Sequence, residues 1–266
     1  MNKLVILLTT CFAILIATIQ IQAQFGVKLG ANLSSTADYF TAEDGESIAL
    51  KSGFQGGVFY NLDVSEKFNL MVELNYEARG TVSKKDYTFD APFVFNGNII
   101  IPEANYEIYQ EASSRQNYIN LPILAVFGGE KFNYYIGPNI GFLISTNSTF
   151  VRTASIGGSP APPPLAADLE NVDWQDYESF KEIFTTVPPE DGNFLNTIEF
   201  GINVGAMYSV TEDLFIDLRL NQGLSDVTNN YYDSSIYPDP TDDFSFPSRD
   251  DTDINLSIQL SVGYSF

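Results

Sequence analysis

The sequence predicts an all-β fold, namely a transmembrane antiparallel up-and-down β-barrel of eight strands with four long extracellular loops. Three observations predict it. Several segments alternate between apolar and small or polar residues, as a strand with two unlike faces does. These segments exceed the five or six residues typical of soluble strands and reach the roughly 9 to 11 that a tilted strand needs to cross a bilayer. The connections between them alternate between short and long.

The eight predicted strands follow one another along the whole chain after its first segment. They lie near 24–34, 52–64, 67–78, 116–127, 131–145, 196–210, 213–223 and 253–266. The last strand shows the alternation best, with apolar positions at Ile254, Leu256, Ile258, Leu260, Val262, Tyr264 and Phe266. The residues between them are all small or polar, so one face suits lipid or a core and the other does not. A soluble β-sandwich would show the same local pattern.

The order of the connections separates the barrel from the sandwich. Tight turns fall at 65–66, 128–130 and 211–212, whereas the long connections are 35–51, 79–115, 146–195 and 224–252. Membrane barrels have short periplasmic turns and long outer loops, so this order predicts an even number of strands with both chain ends in the periplasm. A ten-stranded barrel is the alternative, if 83–95 and 97–111 cross the membrane as a further hairpin. Pro92 and Pro102 argue against it, because proline cannot donate to a strand ladder.

The two faces of the predicted strands differ in their aromatic and charged residues. Aromatic residues lie at the ends of the apolar faces, as in the interfacial girdles of membrane barrels, although ordinary core filling would also place them there: Phe25, Tyr60, Tyr76, Phe127, Tyr134, Phe142, Tyr208, Tyr264 and Phe266. The charges within strands all belong to the opposite face. They are candidate ion pairs of a narrow, largely plugged lumen: Lys28, Glu73, Glu77, Glu199, Asp217 and Arg219.

The first segment, 1–23, is typical of a cleavable secretory signal. Lys3 precedes an apolar run, and Ala23 is a small residue at the expected cleavage point before Gln24. A retained anchor helix is the alternative, but the apolar run is shorter than a usual membrane span. The predicted mature barrel domain is therefore 24–266.

Composition excludes several classes of function. The chain has 34 Asp and Glu against 13 Lys and Arg, a net charge of -21, and no histidine. Its acidity disfavours nucleic acid as a partner. Without histidine, the common nucleophile–base pairs and metal sites are absent, so we expect no catalytic residues, no cofactor and no metal. Glu73 and Glu77 are about 13 Å apart along a strand, too far for a two-carboxylate site without help from neighbouring strands. We expect these two carboxylates to form lumen ion pairs with Arg219 and Lys28 instead.

The acidity is concentrated in the predicted outer loops. We interpret these loops as a solvated acidic surface. Calcium binding is the alternative, because clustered carboxylates can supply oxygen ligands. Two clusters are candidates, although neither has the spacing of an EF-hand loop: Asp239, Asp242 and Asp243, and Asp250, Asp251 and Asp253.

Five short strand motifs rich in glycine and aromatic residues follow one another along the chain: 25–32 (FGVKLGAN), 118–124 (YINLPIL), 135–142 (YIGPNIGF), 200–206 (FGINVGA) and 217–226 (DLRLNQGLSD). In this order they resemble the motifs of the PorT-like outer membrane β-barrel proteins of Bacteroidetes. This resemblance implies an eight-stranded outer membrane barrel, and some members take part in protein secretion and gliding. The final strand also resembles the signal by which the barrel-insertion machinery recognises its clients, with Tyr264 and Phe266 at the aromatic positions. Ser261 departs from that pattern, which usually has glycine there.

From these features we expect a non-enzymatic outer membrane protein that acts as a structural or interaction platform through acidic extracellular loops. Its expected partners are outer membrane lipid, the insertion machinery during assembly, and an envelope or extracellular protein at the loops. The alternative function is a narrow pore or a component associated with transport or protein secretion. A soluble binding sandwich is the third class.

Overall fold

The computed structural model describes residues 23–36, 46–65, 67–95, 98–160, 167–172, 194–229 and 252–266. The predicted signal segment lies outside these residues except for its last residue. Ten strands are present in the described part: β1 (Ala23–Thr36), β2 (Glu46–Ser65), β3 (Phe68–Phe95), β4 (Asn98–Gly128), β5 (Phe132–Ile156), β6 (Ser159–Pro160), β7 (Ala167–Val172), β8 (Ile198–Ser209), β9 (Leu214–Gly223) and β10 (Asn255–Ser265). No described helix is long and apolar enough to cross a membrane.

Eight of these strands form a closed antiparallel ring. Its order is β4, β3, β2, β1, β10, β9, β8 and β5, and β5 pairs with β4 to close it. The first and last ring strands are neighbours, paired from Gly26 opposite Ser265 to Thr36 opposite Asn255. Strands β6 and β7 pair only with β5 and lie outside the ring. The predicted eight-stranded barrel is therefore confirmed.

Three short connections lie at one end of the ring. They join β2 to β3, β4 to β5, and β8 to β9, and the chain enters β1 and leaves β10 at the same end. We call this the turn end and the opposite end the outer end. In membrane barrels, short turns face the periplasm. The outer end therefore faces away from the cell.

The third and fourth strands are much longer than predicted. The segment 79–115 was expected to be an outer loop, but β3 continues to Phe95 and β4 begins at Asn98. They stay paired from Thr81 opposite Ser114 to Phe95 opposite Asn98. Alternation continues here, because aromatic and aliphatic residues recur at every second position, and this pattern favours strand over loop. The hairpin considered for strands nine and ten thus exists, but it continues two ring strands and adds none.

Strand β5 is also longer than predicted, since it ends at Ile156 rather than at 145. Two glycines, Gly157 and Gly158, then turn the chain into β6 with φ values of 55° and 80°. Two consecutive positive φ angles suit the tight turn of a two-residue hairpin, and glycine adopts them without strain. The extensions of β3, β4 and β5 form a sheet above the barrel. We call it the ribbon, comprising 80–95, 98–116 and 146–156.

The outer face of the ring is apolar and the inner face is polar. Large apolar residues such as Leu218 and Leu260 expose more than half of their surface. Their inward neighbours are almost completely buried, including asparagine, glutamine and charged residues. This is the reverse of a water-soluble protein, in which apolar side chains fill the interior. It is the arrangement that lipid outside and a polar lumen inside require.

Candidate functional site in the barrel lumen

The lumen at the turn end is filled by an apolar plug. Phe59, Met71, Leu124, Val126, Tyr135 and Met207 form one buried cluster, with Phe215 packed against it. The Phe59 and Phe215 rings meet edge to face, with their centroids 5.4 Å apart. An eight-stranded barrel has an interior just wide enough for side chains, so these residues close its periplasmic end.

A group of four charged residues, which we call the lower network, lies directly beyond the plug. It consists of Lys28, Glu73, Asp217 and Arg219. Arg219 binds Glu73 through both terminal nitrogens, at 2.8 and 2.7 Å, and Lys28 Nζ lies 3.0 Å from each Glu73 oxygen. Lys28 also reaches Asp217 at 3.2 Å. Two positive charges balance two negative charges, so the lower network is neutral.

The plug and the lower network are joined by Tyr135. Its hydroxyl donates to Asp217 Oδ1 at 2.5 Å and accepts from Arg219 Nε at 2.8 Å. The Arg219 guanidinium also lies 5.1 Å from the centre of the Tyr135 ring. Each charged group therefore has several partners, which a buried ion requires if it is not to be strongly destabilising.

A second group, the upper network, lies nearer the outer end and contains Glu77, Arg79 and Glu199. Arg79 donates to Glu77 at 2.8 Å and to the two Glu199 oxygens at 2.9 and 3.0 Å. Neutral side chains donate further hydrogen bonds to the two carboxylates: Asn120, Ser257 and Gln259 each bind Glu77 at 2.8 Å, and Asn255 binds Glu199 at 2.6 Å. One guanidinium faces two carboxylates, so the upper network carries one excess negative charge.

Arg79 is the lumen residue that the sequence reasoning missed. It was assigned to a loop because predicted strand three ended at 78. The available signal was the inward series Glu73, Asn75, Glu77, which continues to Arg79 at the same spacing. Glu77 had been expected to pair with Arg219 or Lys28. In the structure its basic partner is Arg79, because Arg219 and Lys28 lie one level lower and bind Glu73.

The structure places all six candidate lumen residues inside the barrel and divides them between the two networks. Lys28, Glu73, Asp217 and Arg219 lie together, whereas Glu77 and Glu199 lie together with Arg79. Glu73 and Glu77 thus belong to different networks. They do not form a two-carboxylate site in this geometry.

Above the upper network, the end of β1 closes the mouth of the lumen. Ser34 Oγ lies 3.3 Å from the Gly80 carbonyl and accepts from the Gly80 amide at 2.8 Å. Ser35 bonds Thr81 at 3.1 Å, and Thr36 bonds both Gln116 and Asn255. The Ser34 and Ser35 bonds join β1 directly to β3, although β2 lies between them in the ring, and the Thr36 bonds reach β4 and β10. The described side chains therefore fill the lumen from one end to the other.

Aromatic residues mark the membrane boundaries on the outer face. At the turn end, three ring pairs join neighbouring strands at centroid distances from 4.7 to 5.2 Å: Phe25 with Tyr60, Phe68 with Phe127, and Phe132 with Tyr208. Tyr264 and Phe266 form a fourth pair at the end of the last strand, at 5.3 Å. Phe54 and Tyr76 form a pair nearer the outer end. Along β8, Tyr208 and Phe200 are separated by about 26 Å of strand, or about 20 Å of height after a typical tilt. The ribbon therefore lies outside the membrane.

The two residues of the resemblance to an insertion signal lie on this outer face. Tyr264 is opposite Val27 of β1 and Leu214 of β9. Phe266 donates its backbone N–H to the Phe25 carbonyl at 2.8 Å. Their role in recognition by the insertion machinery stays a prediction.

The ribbon carries polar contacts on its exposed face and apolar residues on the other. Lys84 pairs with Glu111 at 3.0 Å, and Tyr109 donates to the same carboxylate. These two partners hold the pKa of Glu111 below its ordinary value of 4.5, with the Tyr109 bond the larger cause. On the opposite face, burial raises the pKa of Tyr87 to about 12. An open groove of 810 Å³ crosses the ribbon and is lined by residues of β3, β4 and β5, among them Thr88, Ile108 and Ala154.

The candidate calcium clusters fall largely outside the described residues. Only Asp253 is described, and it accepts a hydrogen bond from Thr228 at 2.6 Å. Within the described ranges, no three potential metal ligands of the His, Cys, Asp or Glu type gather into a metal site. The calcium alternative stays a prediction for the remaining aspartates.

A comparison with protein families assigns this barrel to one of them. A model described as an outer membrane protein beta-barrel domain matches residues 18–229, which is more than half of the chain. The chain belongs to this family. The predicted outer membrane location is thereby confirmed. The match does not extend to the narrower PorT-like group or to Bacteroidetes.

Solved structures of outer membrane proteins also match over most of the chain. They include neisserial surface protein A (12% identity, 92% of this chain and 99% of that chain, TM-score 0.36) and OprG from Pseudomonas aeruginosa (12%, 92% and 96%, 0.35). A third is Ail of Yersinia pestis in complex with the heparin analogue sucrose octasulfate (11%, 92% and 99%, 0.37). At these identities and TM-scores, the three proteins say nothing about what this chain binds. No curated protein matches the chain at a significant level.

Proposed function

We propose that this chain is a closed, non-enzymatic outer membrane barrel that serves as a platform for an extracellular β-ribbon. The observation that carries the proposal is the filled lumen beneath a long ribbon. A barrel whose interior is packed with side chains offers no aqueous path, so its useful surface is the part that stands above the membrane.

Three layers support the closed lumen. The apolar plug removes water from the turn end, and the two networks cross the middle with side chains that are at most 4% exposed. Because each charged side chain binds two or more partners, moving one aside would leave buried charges uncompensated. The same engagement supports the non-enzymatic part of the proposal, since the carboxylates of both networks are occupied by internal donors.

The length and the charge of the ribbon are the evidence that the barrel acts as a platform. Over 80–95, a rise of about 3.3 Å per residue gives β3 about 50 Å of strand beyond the membrane belt. Its exposed face carries three acidic residues on adjacent strands, Asp86 and Asp90 of β3 and Glu107 of β4. An extended, charged surface of this kind suits a protein partner of the envelope or of the cell exterior better than a small substrate.

Single-channel recording in planar bilayers tests the closed lumen. We expect the purified barrel to produce no discrete conductance steps. A variant with Glu73, Tyr135 and Arg219 all replaced by alanine removes only the lower network and should also stay closed, because the rest of the plug and the upper network remain. Discrete steps from the wild-type barrel would contradict the proposal and favour the alternative function, a narrow pore or transport component.

A hairpin truncation tests the platform. Lys85 and Gln110 are directly paired, so an Asn-Gly turn can replace 86–109 without disturbing the ring. We expect the truncated protein to insert normally but to lose chemical cross-links that the full protein forms on intact cells. The matched control keeps the ribbon and replaces Asp86, Asp90 and Glu107 by Asn, Asn and Gln. Identical cross-links from the full and truncated proteins would contradict the platform.

We also propose that the chain falls within the PorT-like group. The order of its strand motifs supports this, from 25–32 through 118–124 and 135–142 to 217–226. Within that group a role associated with protein secretion is the more specific hypothesis. Deletion of the gene followed by measurement of secreted and surface proteins would test it, and unchanged profiles would exclude that role.

A further inference from the structure

Two basic side chains reach across β3 on the outer face of the structure, at the level where the ring passes into the ribbon. Lys51 of β2 donates to Ser113 Oγ of β4 at 2.7 Å. In the opposite direction, Arg115 of β4 donates to the Ser52 carbonyl of β2 at 3.4 Å. Because β3 lies between β2 and β4 in the sheet, both side chains lie over the same strand. We call Lys51 and Arg115 the basic pair.

Both members of the basic pair lie outside the lumen. On β4 the buried Gln116 points inward, so its neighbours Arg115 and Asn117 belong to the outer face. Ser113, which accepts the hydrogen bond from Lys51, follows Arg115 at the same two-residue spacing. The amine of Lys51 and the guanidinium of Arg115 are therefore both on the side that faces lipid lower down the barrel.

Along β4 the basic pair comes just beyond the end of the apolar band. The outward residues of β4 are apolar from Phe127 to Ile119 and become polar at Asn117. From Phe127 to Asn117 the strand is about 33 Å long, or about 25 Å high after a typical tilt. That height matches the apolar band of outer membrane barrels, which is about 25 Å tall. Arg115 comes two residues later and therefore lies in the layer of the lipid headgroups.

Neither member of the basic pair contacts a carboxylate within the described part of the chain. Their hydrogen-bond partners are a hydroxyl and a backbone carbonyl, which carry no charge. Glu111 lies on the same face of β4, but Lys84 at 3.0 Å and Tyr109 already bind it. The chain as a whole has a net charge of -21. The pair is therefore a local basic site on an acidic protein.

The two cations lie close enough to affect each other. Partial burial, followed by the nearby charge of Arg115, lowers the pKa of the Lys51 amine. Like charges held this close repel each other, and a bound anion would offset that repulsion. Phosphate suits the pair chemically, because a guanidinium can donate two parallel hydrogen bonds to it and an ammonium binds it as a point charge.

Gly80 of β3 keeps the surface beneath the basic pair free of a side chain. A Cβ atom there would lie 2.8 Å from Lys51 Cδ, so a larger residue would push the lysine away from β3. Gly80 is directly opposite Arg115, and Ser113 is directly opposite Thr149 of β5. The hydroxyl groups of Ser113 and Thr149 can also donate to phosphate oxygens. The site thus combines two cations with neutral donors on an open surface.

Below the basic pair, β2 and β3 present an apolar surface to the membrane. The rings of Phe54 and Tyr76 lie 5.4 Å apart near the upper boundary of this surface. Farther down, Val58 and Leu74 are directly opposite on the two strands, and each residue is about half exposed. A lipid whose headgroup lies at the basic pair can therefore lay its acyl chains along β2 and β3. A free phosphate ion would make no use of this surface.

We propose that the basic pair binds the phosphate group of an anionic lipid of the outer leaflet. Arg115 and Lys51 hold the phosphate at the level of the headgroups, while the acyl chains lie along β2 and β3. The proposal is independent of the closed lumen and of the platform, since it uses only the outer face of the barrel. It gives the barrel a fixed lipid at the base of the ribbon.

Native mass spectrometry of the full chain, released from neutral detergent, tests the proposal. The probe is lipid A that carries its phosphate groups, added over a range of concentrations. In the double variant Lys51→Gln with Arg115→Gln, the Kd for this lipid should rise by roughly thirtyfold, because two cations near an anionic group are lost. The matched control is Lys67→Gln with Lys131→Gln. It removes the same charge from exposed positions at the turn end and should bind as the wild-type protein does.

Two further probes distinguish the phosphate of a lipid from other ligands. Lipid A without its phosphates should bind the wild-type protein as weakly as the double variant binds the phosphorylated form. Inorganic phosphate at the same concentration should not displace the lipid. Equal binding of phosphorylated lipid A by the wild-type protein and the double variant would overturn the proposal, as would equal binding of both forms of lipid A by the wild-type protein. Displacement by inorganic phosphate would indicate a site for the free ion and would overturn it as well.

Urea unfolding in vesicles provides a second measurement. Adding phosphorylated lipid A to phosphatidylcholine vesicles should raise the unfolding midpoint of the wild-type protein and of the turn-end control, because a ligand that binds only the folded state stabilises it. The midpoint of the double variant should not change. Arg115→Gln alone, which leaves the bond from Lys51 to Ser113 in place, replaces the double variant if the latter does not fold, and its midpoint should rise less than that of the wild-type protein. An equal rise in all variants would contradict the proposal.

Discussion

Replacement of Arg79 by methionine should destabilise the barrel strongly. Arg79 is 1% exposed and is the single basic group bound to Glu77 and Glu199 within the described lumen. Its removal leaves two buried carboxylates without a counter-charge. Breaking a buried ion pair by removing one partner costs about 3–5 kcal/mol. A change of that size lowers the ratio of folded to unfolded protein by about two to more than three orders of magnitude.

Equilibrium urea unfolding in lipid vesicles measures this effect, with the folded fraction read from the shift in gel mobility. The double variant Arg79→Met with Glu199→Gln should recover part of the loss, because it leaves one carboxylate rather than two. Lys84→Met is the control, since its pair with Glu111 is solvent-exposed and such pairs contribute little. A free energy of unfolding for Arg79→Met within about 1 kcal/mol of the wild-type value would mean that the carboxylates are hydrated, and it would refute the reasoning about a dry lumen.

Three further predictions concern the lipid face, the ribbon and the plug. Leu218→Arg places a charge on the lipid face near the middle of β9 and should cost about 2–4 kcal/mol in the same unfolding assay, whereas Leu218→Met should cost little. The Glu111 pKa is lowered by Tyr109 and Lys84. The Glu111 carboxylate therefore stabilises the folded protein above its ordinary pKa of 4.5, and this stabilisation is lost as the pH falls further. An NMR titration of the Glu111 carboxyl carbon should therefore have its midpoint below 4.5, and a midpoint at or above that value would contradict the Tyr109 and Lys84 contacts. Phe59→Ala opens a cavity in the plug and should cost about 3–5 kcal/mol of unfolding free energy; an unchanged unfolding midpoint would show that the plug does not pack tightly.

Much of the barrel could be predicted from the sequence because its signal is local. Alternation with a period of two determines which residues face lipid and which face the lumen, as in the series from Ile254 to Phe266. The long connections were harder to interpret. The segment 79–115 alternates like a strand, but Pro92 and Pro102 and the acidic residues between its apolar positions are typical of a loop, and the alternation alone does not show that its two halves continue the ring strands outside the membrane.

The contacts inside the lumen depend on how the ring closes. Residues that meet across the lumen are far apart in the chain, such as Arg79 and Glu199, and their relative height depends on the stagger between neighbouring strands. A shift in register would place each inward side chain at a different level. For that reason no local pattern could show that Glu77 pairs with Arg79 rather than Arg219.

The sequence by itself determined the strand number and the two faces of the barrel, because alternation and turn order are properties of short segments. Only the tertiary structure decided the separation of the charges into a neutral and an acidic network. The physical reason is that closure of the sheet sets the register of every strand at once, and charge balance in a buried space is a property of the whole ring.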